Sequence, residues 1–242
     1  MGAAPMQNIG AYGQEVASVV VAVRVVPRGR GDASWVPAEA LGFGYRTSIF
    51  KGAWRDRCVI TGVRLRLRRG RPDEPRYGEL AQRLGGRADH PSQVREAVLE
   101  LRRGKSMLYD TSDPNHRSAG SFFVNPVVDE LQAQVVRGRV AEAGLDATAM
   151  PSWPEPNGVK LSAAWLMDHS GLHKGLEWGA AGLSSNHCLA LINRGGATAQ
   201  DLIALAAHAR RRVLERFGVC LVPEPVFVGF AGNVDSLLTP AG

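Results

Sequence analysis

The hydrophobic and polar positions divide the chain into a strand-rich first part and a helix-rich remainder. Residues 14–26 contain seven valines and end at a Pro- and Gly-rich run, which predicts a β-strand followed by a turn. Residues 57–67 alternate apolar residues with arginines at the end of the segment, which predicts an amphipathic strand with one solvated face. The glycines of residues 42–51 predict a loop between the two strands that presents Tyr45 and Arg46 to a ligand.

Apolar residues at helical spacing predict most of the elements after residue 90. Pro91 suits the first turn of a helix that ends near Gly104. Thr198 and Asp201 have the spacing of a capping box, and Gly218 follows the last apolar residue of the helix that starts there. Further helices are predicted at 129–143 and 160–170, and strands at 187–193 and 219–230.

The Pro- and charge-rich run 70–75 is the predicted boundary between two domains. The first domain, residues 1–70, is strand-rich, and the second, residues 71–242, mixes helices and strands. An α+β architecture is therefore expected for the second domain.

The composition is that of an ordinary globular protein, with 45% hydrophobic and 21% charged residues among 242. The three cysteines are scattered singly, which disfavours a disulfide framework or a zinc site and favours a reducing compartment. His169 and His173 have i,i+4 spacing, but Gly171 lies between them and the glutamate of a zinc helix is missing. We therefore expect no metal site. No run approaches the ~18 apolar residues of a membrane span, so we expect a cytoplasmic protein without a membrane segment.

The formal net charge of +6 leaves nucleic-acid binding open as one function class. The candidate patch is Arg64–Arg71, which holds five arginines, both ends included. No aromatic residues are interleaved with these arginines, and anionic small molecules or plain solubility explain the charge as well. Nucleic acid is therefore not the expected partner.

The run Arg117–Val128 carries the most specific chemical signal. A small-residue turn presents the hydroxyl of Ser121, two phenylalanines follow it, and Asn125 then precedes a proline. A hydroxyl held in a dry pocket can deliver a proton to a carbon that has just gained charge. A Gly-Ser turn that leads into a buried strand is the alternative without a chemical role. A hydrolase triad with His116 is disfavoured, because no acidic third partner lies at recognisable spacing.

Together with Gly42–Lys51 and Val222–Pro225, this run resembles the UDP-N-acetylenolpyruvoylglucosamine reductases, the MurB-type flavoenzymes of peptidoglycan precursor synthesis. The resemblance implies the C-terminal part of a PCMH-type FAD-binding domain in residues 1–70 and a MurB-type α+β substrate-binding domain in residues 71–242. It also implies a UDP-N-acetylmuramate dehydrogenase, which reduces UDP-N-acetylglucosamine enolpyruvate to UDP-N-acetylmuramate with FAD and NADPH. The oligomeric state is not implied.

The resemblance assigns three catalytic residues. Arg46 matches the arginine that holds the substrate carboxylate, Ser121 the serine that protonates the reduced intermediate, and Glu224 the glutamate that helps to stabilise the enol form. These roles fit the chemistry, because hydride addition to an enolpyruvyl ether pushes charge into the carboxylate and requires a proton at the neighbouring carbon. The family's arginine shortly after the Pro-Glu pair has no counterpart in Pro225–Val228.

Two further groups of residues match the family. Substrate contacts are expected from Tyr77, Lys105, Asn125 and Trp153, where Trp153 replaces the more usual tyrosine. A lysine suits diphosphate oxygens, and an aromatic ring can cover a base or a sugar. The loop that lies against the flavin ring is expected to contain Gly2, Ala3, Pro5, Gln7, Asn8, Gly10, Ala11 and Tyr12.

The family's earlier glycine-rich stretch, which wraps the FAD pyrophosphate, has no counterpart in this sequence, since Gly42–Gly44 does not continue as Gly-x-Gly-x-x-Gly. The chain is therefore expected to begin inside the flavin domain. The sequence therefore leaves two alternatives to an active enzyme. One is an inactive fragment of that enzyme that binds FAD poorly, and the other is a basic nucleic-acid-binding module.

Overall fold

The computed structural model describes residues 2–230 together with residues 232 and 238. The chain divides by packing into two compact units, Met1–Leu101 and Arg102–Gly242. The packing division falls about 30 residues after the domain boundary expected near residue 70, because residues of the 70–101 segment pack within the first unit. The boundary near residue 70 between a FAD-binding and a substrate-binding domain stays a prediction. Among the described residues, no helix has the length and apolarity needed to cross a membrane.

Short strands and helices build the first unit. In chain order its helices and strands are α1 (Ala3–Met6), β1 (Gly10–Ala11), β2 (Gln14–Glu15), β3 (Val20–Pro27), β4 (Ser34–Pro37), β5 (Cys58–Leu65), α2 (Gly78–Arg83) and α3 (Pro91–Gly104), whose last three residues lie beyond the packing division. Strands β1 and β2 form a small hairpin, and a second antiparallel sheet has the order β4-β3-β5. The predicted strands are thus confirmed, with shorter bounds.

The core of the first unit lies against the central strand β3. Val20, Val23 and Val25 are buried there together with Leu41 and Phe50. Valine suits this position because its branched side chain packs well on a pleated, buried surface. The expected apolar face of the following strand is only partly formed, since β5 is an edge strand and Leu65 and Leu67 are exposed.

Among the described residues, the second unit contains two antiparallel sheets and three α-helices. Its elements are β6 (Ser118–Ser121), β7 (Val127–Val128), α4 (Glu130–Glu142), β8 (Ser152–Glu155), β9 (Gly158–Leu161), α5 (Ala163–Asp168), β10 (Glu177–Trp178), β11 (Ala181–Leu183), β12 (Ala190–Asn193) and α6 (Ala199–Phe217). One sheet has the order β10-β11-β12-β6 and the other β7-β9-β8. The mixture of helices and antiparallel sheets is an α+β architecture, as the sequence predicts.

Helix α6 carries much of the core of the second unit. The Thr198 hydroxyl accepts a hydrogen bond from the Asp201 amide while the Asp201 carboxylate accepts from the Thr198 amide, so the predicted capping box is present. The helix ends at Gly218, whose φ of 70° lies in the left-handed region that favours glycine. Its buried side, from Ile203 to Phe217, packs in one hydrophobic cluster with α4, α5 and the sheet residues.

Two predicted elements are wrong in part. The helix expected at 160–170 begins only at Ala163, because residues 158–161 instead form β9, which pairs with strands on both sides. The strand expected at 219–230 is reduced to an isolated bridge between Phe123 and Pro223. Pro223 and Pro225 lack the amide hydrogen that a continuous ladder requires.

Candidate functional site

In the first unit, the loop predicted to face the flavin begins with the short helix α1 and ends in a hairpin formed by β1 and β2. Its turn is formed by Tyr12 and Gly13, whose φ values of 53° and 79° are both positive, as in the turns that favour two-residue hairpins. Ala3 in α1 and Ala11 in the hairpin are exposed, and their small side chains fit the close approach of a flat ring. Pro5 is buried in the loop.

The side chain of Asn8 is engaged within the protein. It is 1% exposed, and its Nδ2 donates to Glu15 Oε2 at 2.8 Å and to the Gly44 carbonyl oxygen at 3.0 Å. Its Oδ1 accepts from the Ala17 amide at 2.9 Å. These bonds use both amide hydrogens of Asn8 and tie the hairpin to the Gly44 turn. A contact between Asn8 and flavin stays a prediction.

The predicted carboxylate-binding residue, Arg46, lies in a turn that is joined to the same hairpin. Gly44 and Thr47 exchange backbone hydrogen bonds of 3.2 Å, and Arg46 between them has a φ of 53°. The Arg46 guanidinium donates to the Gly10 carbonyl oxygen at 2.7 Å, and its backbone oxygen accepts from Lys51 Nζ at 3.0 Å. A non-glycine residue at this φ costs about 1–2 kcal/mol, which the bonds on both sides offset.

The absence of a side chain at Gly10 allows Arg46 to lie against the hairpin. A Cβ atom added at Gly10 would stand 3.0 Å from Arg46 Nη1 and 2.9 Å from both the Gln14 carbonyl oxygen and Glu15 Cγ. The structure therefore explains why a glycine occupies this position of the predicted flavin loop, a point that the resemblance alone does not explain.

Tyr77, expected to contact substrate, lies beside Tyr12 of the predicted flavin loop. The two rings meet edge to face, with centroids 5.3 Å apart and planes at 82°. A Cβ atom at Gly13 would come within 3.3 Å of the Tyr77 amide nitrogen, so the backbone also approaches closely here. The first unit thus brings together predicted flavin-loop and substrate residues.

In the second unit, Ser121 ends strand β6 and faces a histidine that the sequence did not single out. Ser121 pairs with Ala190 of β12, and its Oγ lies 3.4 Å from Nε2 of His187, which is in the turn before that strand. Gly120, just before Ser121, has a φ of 78°. Lone histidines carry no pattern in a sequence, so only the fold identifies His187 as a neighbour of Ser121.

Backbone pairing places Glu224 next to the segment that follows Ser121. The Phe122 amide donates to the Leu189 carbonyl oxygen at 2.7 Å, and the Phe122 carbonyl oxygen accepts from the Glu224 amide at 2.8 Å. The Val124 amide donates to the Val222 carbonyl oxygen at 3.0 Å. The predicted proton donor and the predicted enol-stabilising residue are thus held on adjacent chain segments.

The turn that carries His187 is fixed by buried polar side chains. Asn115, 5% exposed, accepts from the Ser185 amide at 3.0 Å and donates to Ser185 Oγ at 3.1 Å. The Asn186 side chain donates to Ser106 Oγ at 2.8 Å. Hydrogen bonds from buried side chains such as Asn115 and Ser106 hold a loop in one conformation.

The other predicted substrate residues have different neighbours in the second unit. Asn125 Oδ1 accepts from the Ala163 amide at 2.9 Å and so supports the start of α5. Trp153 is on β8 opposite Lys160, whose Nζ lies 5.8 Å from the centre of the tryptophan ring. Lys105 follows α3 and is half-buried. Their substrate contacts stay predictions.

The basic run 64–71 has intramolecular partners in the first unit. Arg64 lies 4.5 Å from the centre of the Trp35 ring, Arg68 forms an ion pair with Asp73, and Arg71 forms one with Asp89. Exposed ion pairs of this kind contribute little to stability, but they reduce the positive charge offered to a phosphate backbone. No cluster of three or more potential metal ligands occurs among the described residues.

Comparisons with known proteins agree on one class, the UDP-N-acetylenolpyruvoylglucosamine reductases. The model of that family's C-terminal domain matches residues 113–228. The reductase of Thermobifida fusca (strain YX) is 47% identical over 234 residues, which cover 95% of this chain and 65% of the relative. The reductase of Mycobacterium sp. (strain MCS) is 48% identical, with 94% and 65% covered.

A solved structure gives the same result. The crystal structure of the UDP-N-acetylenolpyruvylglucosamine reductase from Thermus caldophilus matches with a TM-score of 0.52 and 26% identity, over 92% of this chain and 58% of that chain. Residues 113–228 thus match the C-terminal domain of the UDP-N-acetylenolpyruvoylglucosamine reductases, and the chain is similar to members of that family over 92–95% of its length. It spans about 65% of the length of the curated relatives named above.

Proposed function

We propose that this chain serves the reaction for which its relatives are named, as a UDP-N-acetylmuramate dehydrogenase of peptidoglycan precursor synthesis. The substrate is UDP-N-acetylglucosamine enolpyruvate and the product UDP-N-acetylmuramate. The observation that carries the proposal is the backbone pairing of segments 122–124 and 222–224, which holds Glu224 next to the segment that follows Ser121. The names and identities of the relatives support it independently.

Each catalytic residue has one task in the proposal. Arg46 binds the carboxylate of the enolpyruvyl group, where its planar guanidinium can form two parallel hydrogen bonds. Ser121 delivers a proton to the carbon next to the carboxylate once hydride has been added to the terminal carbon. Glu224 stabilises the enol form of the intermediate. Tyr77, Lys105, Asn125 and Trp153 bind the UDP-sugar.

The hydride comes from a cofactor, since no side chain can donate one, and reduced FAD regenerated by NADPH supplies it when bound. The exposed small residues Ala3 in α1 and Ala11 in the hairpin fit the ring of such a cofactor. Gly2, Pro5, Gln7, Asn8, Gly10 and Tyr12 complete the proposed flavin loop. We assign the loop to the C-terminal part of a PCMH-type domain, with the family boundary near residue 70, and place the protein in the cytoplasm.

A half-reaction experiment tests the role of Ser121. The full chain is purified in excess FAD, its visible spectrum is recorded, and flavin reduction by NADPH is followed separately from reoxidation by the enolpyruvyl substrate. Ser121→Ala should leave reduction unchanged and slow reoxidation by roughly 10²–10⁴-fold, the usual contribution of a positioned acid. Ser118→Ala, on the same strand, is the matched control. Normal reoxidation in Ser121→Ala removes Ser121 from the mechanism.

The spectrum and a binding measurement separate the remaining alternatives. A chain that takes up no flavin but binds the UDP-sugar specifically is an inactive form of the same enzyme. Binding of duplex or single strands that collapses as salt rises, with no affinity for the UDP-sugar, identifies a basic nucleic-acid-binding module. The ion pairs of Arg68 and Arg71 disfavour that last outcome.

A further inference from the structure

His187 is a titratable group beside Ser121 that the assigned roles do not use. The 3.4 Å between His187 Nε2 and Ser121 Oγ is at the long end of hydrogen-bonding distances. Such bonds are often long in a protein without ligand and shorten when the reacting complex forms. Both residues lie within the segment 113–228 that matches the family's C-terminal domain.

The direction of this hydrogen bond follows from the task of the serine. A hydroxyl has one hydrogen, and a proton donor must point that hydrogen at the carbon it protonates. Its oxygen is then free only to accept, so the imidazole must donate from Nε2. A donor at this position also stabilises the negative charge that develops on the serine oxygen as the proton leaves.

Hydrogen bonds on both sides of His187 fix the backbone of the turn that carries it. The preceding residues Ser185 and Asn186 are held by Asn115 and Ser106, and the His187 carbonyl oxygen accepts from the Ala190 amide at 3.0 Å. Functional side chains act best when hydrogen bonds of neighbouring residues fix their position in advance.

We propose that His187 is a positioning residue that donates a hydrogen bond from Nε2 to Ser121 Oγ, an inference that rests on the proposed function. In the protonation step the O–H bond of Ser121 breaks and its proton forms the new C–H bond of the product. The Nε2–H group holds the alkoxide left on Ser121, which then takes a proton from solvent water. Hydride addition and this proton together complete the reduction of the double bond.

Nuclear magnetic resonance of the ¹⁵N-histidine-labelled full chain tests the contact without requiring activity. At a pH where the ring is neutral, we expect His187 to be protonated at Nε2, and Ser121→Ala should shift its Nε2 resonance. The exposed His173 is the internal control, whose resonances should stay unchanged. Protonation at Nδ1 instead, or no response of His187 to Ser121→Ala, overturns the proposal.

The half-reaction assay tests the consequence. His187→Leu removes the donor and should slow flavin reoxidation by about 10–100-fold, the range for a hydrogen bond to a charged group, without changing reduction by NADPH. His187→Gln keeps an N–H donor near the Nε2 position and should recover most of the rate. The proposal is contradicted if flavin reoxidation is equally fast in His187→Leu, in His187→Gln and in the unaltered chain. If the unaltered chain shows no turnover, the proposed function fails for it, while the tautomer of His187 still decides whether the contact exists.

Discussion

The Glu224 amide donates to the Phe122 carbonyl oxygen at 2.8 Å, and with the bond from the Val124 amide to the Val222 carbonyl oxygen it joins residues 222–224 to the segment that follows Ser121. Among residues 223–225 only Glu224 has an amide hydrogen, because both neighbours are prolines. The prolines therefore limit the pairing to a single bridge and leave one register for Glu224. The Pro-Glu-Pro run could be taken for a solvated turn, but its backbone pairing fixes the position of Glu224 relative to Ser121.

We predict that Gly10→Ala destabilises the first unit and displaces Arg46. The added Cβ atom would lie 2.9 Å from the Gln14 carbonyl oxygen and 3.0 Å from Arg46 Nη1, so the hairpin must shift. The expected loss in the free energy of unfolding is about 1–3 kcal/mol, measured by urea denaturation. Gly2→Ala is the control, since a Cβ atom there meets its nearest neighbour at an ordinary 3.5 Å. Equal stability of the two variants would contradict the close approach.

We predict a larger effect for Gly158→Ala in the second unit. Gly158 has a φ of 134°, and a Cβ atom would stand 2.1 Å from the Val128 carbonyl oxygen, where β9 pairs with β7. The unfolding free energy should fall by at least about 3 kcal/mol, from backbone strain and the clash together. Gly138→Ala should instead add about 0.5–1 kcal/mol, because Gly138 is in the interior of α4 with open space around it. A change in unfolding free energy of the same sign for both variants would contradict this prediction.

The sequence predicts elements best where local signals agree. The capping box at Thr198 and the terminating Gly218 bound α6 closely, because both signals act within a turn of the helix. The start of α5 was misplaced, because residues 158–161 pair with two strands distant in sequence and their pairing overrides local spacing. Long-range pairing of this kind is not encoded in a short window.

The same distinction holds for the candidate site. Arg46, Ser121 and Glu224 are predicted from motifs, because each lies in a run of characteristic neighbours, and their roles stay predictions. His187 has no such run, and its place beside Ser121 depends on the pairing of β6 with β12. The engagement of Asn8 with Gly44 is equally a product of the fold, since the two residues are 36 positions apart.

We predict that the three cysteines differ widely in their reactivity in the native state. Burial raises the pKa of the Cys188 thiol to about 11, and the residue is 3% exposed, so at pH 8 only about one molecule in a thousand carries the thiolate. Cys220 is exposed and should react first with an alkylating reagent, followed by the half-buried Cys58, whose pKa is also raised by burial. Mass spectrometry of partially labelled protein gives the order. Cys220→Ser should remove the fast phase, and rapid native labelling of Cys188 would contradict its burial.

Acid should weaken the polar network that supports the His187 turn. The pKa of Asp113 is lowered from its usual value of 3.8, first by a hydrogen bond from the Ser106 side chain and then by one from the Asn115 amide. Ser106 and Asn115 are the same residues that hold Asn186 and Ser185. Asp113 therefore connects the charge of one carboxylate to the position of the His187 turn.

The direction of the pH effect follows from the sign of this shift. A carboxyl whose pKa is lower in the folded than in the unfolded protein stabilises the fold above the unfolded value and loses that contribution as the pH falls through the folded value. The unaltered chain should therefore be more stable than Asp113→Asn at pH 7, and the difference should shrink as the pH falls below 3.8. Urea denaturation across this range measures it, with the exposed Asp56→Asn as the control. A difference that stays constant into acid would show that the Asp113 charge does not stabilise the network.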